Sequence, residues 1–168
     1  FDPDGFLRRP ENRYLPSGYL GQFRKGHEKH QLQFKGGEVF APIKYMLDKK
    51  LLSALKAKKI PLLLSTDAGS GSMGAVPGFS VHDELRILVE NGFTPYEALA
   101  AGTIVASKIV QRMNGQDDFG IIEPGKRADL LMLAQNPLDD VFNASKILGV
   151  MAAGKWYDQD TISEMLDE

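Results

Sequence analysis

The chain has 168 residues, 43% of them hydrophobic, with 20 basic and 22 acidic side chains and no cysteine. That size and composition permit the core of one domain, with or without a small appendage. The interspersed charge, net −2, gives no field to recruit nucleic acid or an anionic membrane, so neither is expected as a partner. Without cysteine there is neither a disulfide framework nor a thiolate site, which fits a reducing, cytoplasmic setting. No apolar run approaches the roughly 20 residues of a membrane span, and the N-terminus lacks the order of a signal peptide. The first residue is Phe1, as expected of a processed or cut chain.

Residues 1–37 carry scattered proline and glycine, many charges and no sustained period, and read as a long connection. His27 and His30 fall in its "HEKH" and are expected to be solvated rather than metal-holding. From Pro42 the pattern changes. Ile43, Met46, Leu47, Leu51, Ala54 and Leu55 recur at helical spacing with Lys49, Lys50, Lys56, Lys58 and Lys59 opposite, which predicts an amphipathic helix over 41–58. Residues 60–65 form a short apolar run with the length of a fully buried parallel strand. Asp67 stands just past its end and opens a run of glycine, serine and alanine.

A second helix follows, with Ser80 as N-cap, Val81, Leu85, Leu88 and Val89 on one face, and Asn91-Gly92 as the stop. A third starts at Thr94, which has capping-box spacing to Glu97 and Pro95 at the first helical position; Leu99, Thr103, Ala106 and Val110 carry its buried stripe. Beyond Gly115 the texture is β. Pro124-Gly125 has the composition of a type II turn, and "ILGVMAAGKWYD" predicts a hairpin turning near Ala153-Gly154. Trp156 and Tyr157 alternate across its end as core and rim.

Helix, strand, acidic loop and helix in that order form a unit of α/β architecture, in which functional residues sit at the carboxyl ends of strands. A carboxylate there can ligate a metal, accept a proton from a metal-bound water, or cap the next helix. The glycine-rich run lacks the Gly-Lys-Ser/Thr ending of a phosphate loop and a GxGxxG spacing.

Four stretches, "LLLSTDAGSG", "SVHDELRILVENGFTPYEALAAGT", "GIIEPGKRADLLMLAQNPLDDV" and "VMAAGKWYD", together resemble the C-terminal part of the amidohydrolase superfamily, in its imidazolonepropionase-like branch. The likeness runs over about residues 40–158, in order and at natural spacing. It implies an α/β chain forming the C-terminal portion of a TIM (β/α)8 barrel within residues 1–114, and part of a small β-sandwich with a C-terminal tail in residues 115–168. It also implies a metal-dependent hydrolase of C–N bonds in cyclic amides or peptide-like substrates. Asp67 becomes the metal-facing catalytic aspartate beside one or two divalent ions, usually zinc, taking a proton from the attacking water and passing it to the leaving nitrogen. Gly69, Ser70 and His82 border a small-molecule or dipeptide substrate, while Asp129 falls in a sandwich turn with a hydrogen-bonding role.

The superfamily's His-x-His, its bridging lysine or carboxylate and its two single histidines would all precede Asp67, and none is identifiable. A complete barrel takes about 250 residues. The resemblance therefore describes an incomplete chain that is inactive alone, retains no tight metal, and either oligomerises or associates with its missing N-terminal half. The competing reading is a non-catalytic structural or interaction module that kept this segment.

Overall fold

The computed structural model describes residues 3–16, 18–33, 35–68 and 74–167. A reciprocal capping box opens the helix at Thr94. The Glu97 amide donates to Thr94 Oγ1 at 3.1 Å and the Thr94 amide donates to the Glu97 carboxylate at 2.7 Å, so two otherwise orphaned helix-start donors are satisfied reciprocally. The Thr94 amide is also the main reason the Glu97 carboxyl is held below its ordinary pKa. From this cap runs α5, Pro95–Gly102. The expected single helix breaks at Thr103, whose backbone (φ −123°, ψ −96°) leaves the helical region, and resumes as α6, Ile104–Asn114. Thr103 Oγ1 bonds back to the Leu99 carbonyl at 2.9 Å, a side-chain bond that competes with the helix ladder. The break shifts the helix phase: Ala98, Ala101 and Ser107 are the buried positions, whereas Thr103, expected on the buried stripe, is exposed.

The helix preceding α5 is α4, Ser80–Glu90, with Leu85 and Leu88 buried. Ser80 lies inside it rather than capping it. Its Oγ accepts from the Val76 amide at 2.8 Å and so secures the turn leading into the helix. The stop is as expected, with Asn91 as C-cap and Gly92 at φ +92°. Leu85, Leu88, Ala98 and Ala101 form the main core with Val141 and Ala144 of the 3-10 turn Val141–Ser145.

Against this core lie Leu52, Leu62 and Leu64. The helix that carries Leu52, α3 (Ala41–Ala57), matches the predicted span but has no buried residue. The face expected to be covered, Ile43, Met46, Leu47 and Leu51, is more than half exposed. Residues 60–65 are likewise not assigned as a strand, although their exposure alternates: Leu62 and Leu64 turn inward, Ile60 and Leu63 outward. A strand is defined by its ladder. The backbone bonds described for this stretch run from the Ile60 amide back to the Leu55 carbonyl of α3, at 3.0 Å, and from the Leu64 amide to the Ala101 carbonyl, at 3.3 Å.

The sheet is formed further along by β1 (Leu130–Leu133), β2 (Ile147–Ala152) and β3 (Lys155–Asp158), antiparallel in the order 1-2-3. The hairpin turns where expected. Ala153 (φ +48°) and Gly154 (φ +82°) both take the left-handed conformation that a two-residue type I′ loop requires. Asp129 holds this turn by accepting from the Ala153 amide at 2.7 Å, in agreement with its expected hydrogen-bonding role. Pro124-Gly125 also turns as predicted, with the Lys126 amide donating to the Glu123 carbonyl at 3.2 Å and Gly125 at φ +88°. Trp156, expected in the core or at its rim, is 42% exposed; its indole lies over Gly149 of the neighbouring strand. In place of a tail, residues Gln159–Asp167 form α7.

The N-terminal stretch corrects the sequence reading most. Instead of a connection it contains α1 (Pro3–Leu7), a 3-10 turn at Pro10–Tyr14 and α2 (Tyr19–Gln33). The physical reason is visible in α2, which buries only Phe23. One anchor in fifteen residues leaves no apolar period to read, and tertiary packing supplies what the pattern lacks.

Candidate functional site

Asp67 ends the leucine-rich extended stretch in the left-handed region, at φ +49°. Aspartate is among the few residues that tolerate that conformation, and non-glycine residues held there concentrate at turns and functional sites. The Ala68 amide bonds to Thr66 Oγ1 at 3.2 Å, closing a short turn around the acid. The Asp67 side chain is exposed, and its carboxylate makes no hydrogen bond or ion pair among the described residues.

Two of the other expected site residues, Gly69 and Ser70, lie outside the described residues. His82 is the third residue of α4 and half-buried. Burial lowers its pKa, only partly offset by the neighbouring Asp83 carboxylate, so the ring is neutral at pH 7. Its Nδ1 is buried without a hydrogen-bond partner among the described residues. Glu84 is pushed upward by burial first and by the Asp83 charge second. His27 and His30 sit on α2 rather than in a loop; the His27 ring stacks on Phe23 with centroids 6.1 Å apart, and His30 is exposed. Among the described residues no group of three or more His, Cys, Asp or Glu converges to hold a metal ion.

Concave surface is found elsewhere. A cleft of about 350 Å³ is lined by Lys56, Ile60, Leu62, Leu88, Phe93 and Glu97, among others. It lies at the start of the extended stretch, away from Asp67. Lys56 accounts for much of its rim, donating to the Gly92 carbonyl, pairing with Glu97 at 3.6 Å and lying 5.2 Å from the Phe93 ring centre.

Sequence reasoning also missed contacts that bring the N-terminal stretch to the start of α4. Arg9 donates to Asp83 at 3.1 Å, the Tyr14 and Phe79 rings stack at 5.4 Å, and Phe6, Phe23 and Val76 form a second buried cluster. The only available signal was aromatic content, since no periodicity links residues some 70 positions apart.

Residues 48–157 match the amidohydrolase family. The chain belongs to that family. Similar solved structures agree. An amidohydrolase shares 29% identity at a TM-score of 0.53, covering 66% of this chain and 25% of its own. A Xaa-Pro dipeptidase with methionine bound in its active site shares 25% identity at a TM-score of 0.56, with the same 66% and 25% coverage. Molinate hydrolase shares 26% identity at 0.52, covering 68% and 26%. No curated protein matches in sequence. The amidohydrolase segment thus spans about a quarter of the length of the solved structures it matches. Among the described residues, no helix of this amidohydrolase chain is long and apolar enough to cross a membrane.

Proposed function

We propose that this chain supplies the C-terminal portion of a TIM barrel in residues 1–114, and part of the adjoining β-sandwich in residues 115–168. The whole is a cytoplasmic, metal-dependent amidohydrolase of the imidazolonepropionase-like branch that hydrolyses a C–N bond in a cyclic amide or dipeptide-like substrate. One observation carries the reading: within the family match, Asp67 stands exposed at the carboxyl end of a leucine-rich extended stretch, with its carboxylate unengaged among the described residues.

In this reading Asp67 is the proton carrier. Its carboxylate accepts the proton of the water whose oxygen attacks the carbonyl carbon, and returns that proton to the nitrogen as the C–N bond breaks, so acid and base are both restored. Neutral His82 and the backbone of Gly69 and Ser70 border the substrate. A catalytic zinc takes three protein ligands and a water. With no group of three donors among the described residues, this chain by itself does not fit a resident metal. Zinc or another divalent ion in the whole enzyme draws its remaining ligands from other strands. The same strands, or a second copy of the chain, cover Ile43, Met46, Leu47, Leu51 and Leu63, each of which is more than half exposed.

The test is elemental analysis of the dialysed 168-residue chain, with hydrolysis of a panel of dipeptides and cyclic amides by that chain and by the full-length enzyme. The chain alone is expected to hold no stoichiometric zinc and to turn over nothing, and the full-length enzyme to show turnover that depends on Asp67. Stoichiometric zinc on the chain alone would instead assign the missing ligands to some pair among His27, His30 and His82. A full-length protein with no turnover would favour a non-catalytic module.

A further inference from the structure

Two observations place the N-terminal arm at the same end of the molecule as Asp67. The cleft at the start of the extended stretch brings Ile60, Pro61 and Leu62 to Leu88 and Phe93, which lie at and beyond the far end of α4. Helix and stretch therefore run in opposite directions, and the beginning of α4, with residues 74–79 before it, lies towards Asp67. The arm is seated on that beginning. Phe6, Phe23 and Val76 are at most 2% exposed in a cluster separate from the main core, and Leu7, Leu15 and Leu20 pack around them. The Tyr19 hydroxyl donates to the Ala75 carbonyl at 3.4 Å. The Arg9–Asp83 pair leaves both side chains more than a third exposed, where water and salt weaken it. Between arm and α3 stand Gly36 and the 3-10 turn Gly37–Phe40. Gly36 has φ +86° and no atom within 4 Å of where a side chain would be, the conformation and clearance of a hinge.

We propose that residues 3–33 form a strap, hinged at Gly36 and latched on residues 75–83, whose release and reseating govern access to the Asp67 end. Segments secured by few buried contacts open locally without unfolding the rest of the protein. Among the described residues, the strap is joined to residues 75–83 by its small cluster, an exposed ion pair, the Tyr14–Phe79 stack and one long hydrogen bond. The claim about access rests on the reading of Asp67 given above; the opening does not.

Hydrogen exchange on the protein tests the opening. The Val76 amide, bonded to Ser80 Oγ in a buried setting beneath the strap, reports on it directly. Val76 and Phe23 are expected to exchange together and at least tenfold faster than Ala98 and Ala101. Arg9→Ala combined with Tyr14→Ala should speed Val76 at least a further tenfold while leaving Ala98 and Ala101 unchanged. Exchange of all four amides in one phase, or a Val76 rate indifferent to the latch variant, would overturn the strap. In the full-length enzyme the same variant should shift KM severalfold at constant kcat; an unchanged KM would overturn the control of access. Turnover surviving in Asp67→Asn would remove the catalytic reading and leave the exchange result standing.

Discussion

The chain holds two apolar clusters built on different plans. The main one assembles Leu85, Leu88, Ala98 and Ala101 from neighbouring helices and closes with Val141 and Ala144 from forty residues on. The other joins Phe6 and Phe23 to Val76, with a half-exposed ion pair and a ring stack beside it. In the first, helices with caps and periodic faces meet, so local preference and tertiary packing agree. In the second, helices with almost no apolar face are held by isolated aromatic anchors. The difference teaches that order in this protein has two sources: periodic helical faces in one cluster and isolated aromatic anchors in the other.

The sharpest separation of chemistry from scaffold is Asp67→Asn. In the full-length enzyme it should cut kcat by roughly 10²–10⁴-fold, because the amide cannot take up the proton, while the exposed side chain leaves the thermal transition unmoved. A fall in Tm matching the loss of activity would instead make Asp67 a structural residue. Within the scaffold, Leu88→Ala should cost about 2–5 kcal/mol by chemical denaturation, since it empties a core position. Phe23→Ala should leave that same transition almost unshifted if the arm unfolds by itself; equal losses would merge the two regions into one. Gly120→Ala should cost about 2–4 kcal/mol: its φ is +90°, and a Cβ would stand 2.6 Å from that of Ser107 and 2.8 Å from the Thr103 carbonyl oxygen. Thr94→Ala, which removes the capping box of α5, should cost about 1 kcal/mol.

The smallest effect is on acid titration. The folded pKa of Glu97 is depressed, chiefly by the Thr94 amide, so its contribution is complete above the unfolded value near 4.5 and is lost as pH falls through the lower folded value. Stability measured from pH 6 downward should therefore decline less steeply in Glu97→Gln, which keeps an acceptor for the Thr94 amide but does not titrate. Parallel curves for the two proteins would show that the bond contributes nothing in solution.

Legibility in the sequence followed the same division. The Thr94 cap, the Asn91-Gly92 stop, the Gly125 turn and the Ala153-Gly154 hairpin were readable because each is dictated by a few adjacent residues. The break at Thr103 was not, since the apolar spacing from Leu99 to Val110 runs on through the poor helix formers Gly102, Thr103, Ile104 and Val105, and the interruption accompanies contact of Gly102 with Leu64, nearly forty residues away. The arm was hidden for the same reason: nothing near Phe23 announces Val76. Residues 60–65 carry the composition of a strand, but strand identity depends on neighbours that the described residues do not provide. At the candidate site, the position of Asp67 beyond a leucine run was legible. The left-handed backbone there, the unpartnered Nδ1 of His82 and the Arg9–Asp83 pair emerge only in three dimensions.

The contact between Leu64 and Ala101 also bears on how the protein is made. Leu64 leaves the ribosome some 37 residues before Ala101, which at about 5–20 residues per second is a delay of roughly 2–7 s. For the first part of that interval Leu62 and Leu64 lack Leu85 and Leu88, and for all of it they lack Ala101. The leucine run is thus a stretch of the nascent polypeptide that waits for its cover, and slow codons between residues 65 and 101 would lengthen that wait.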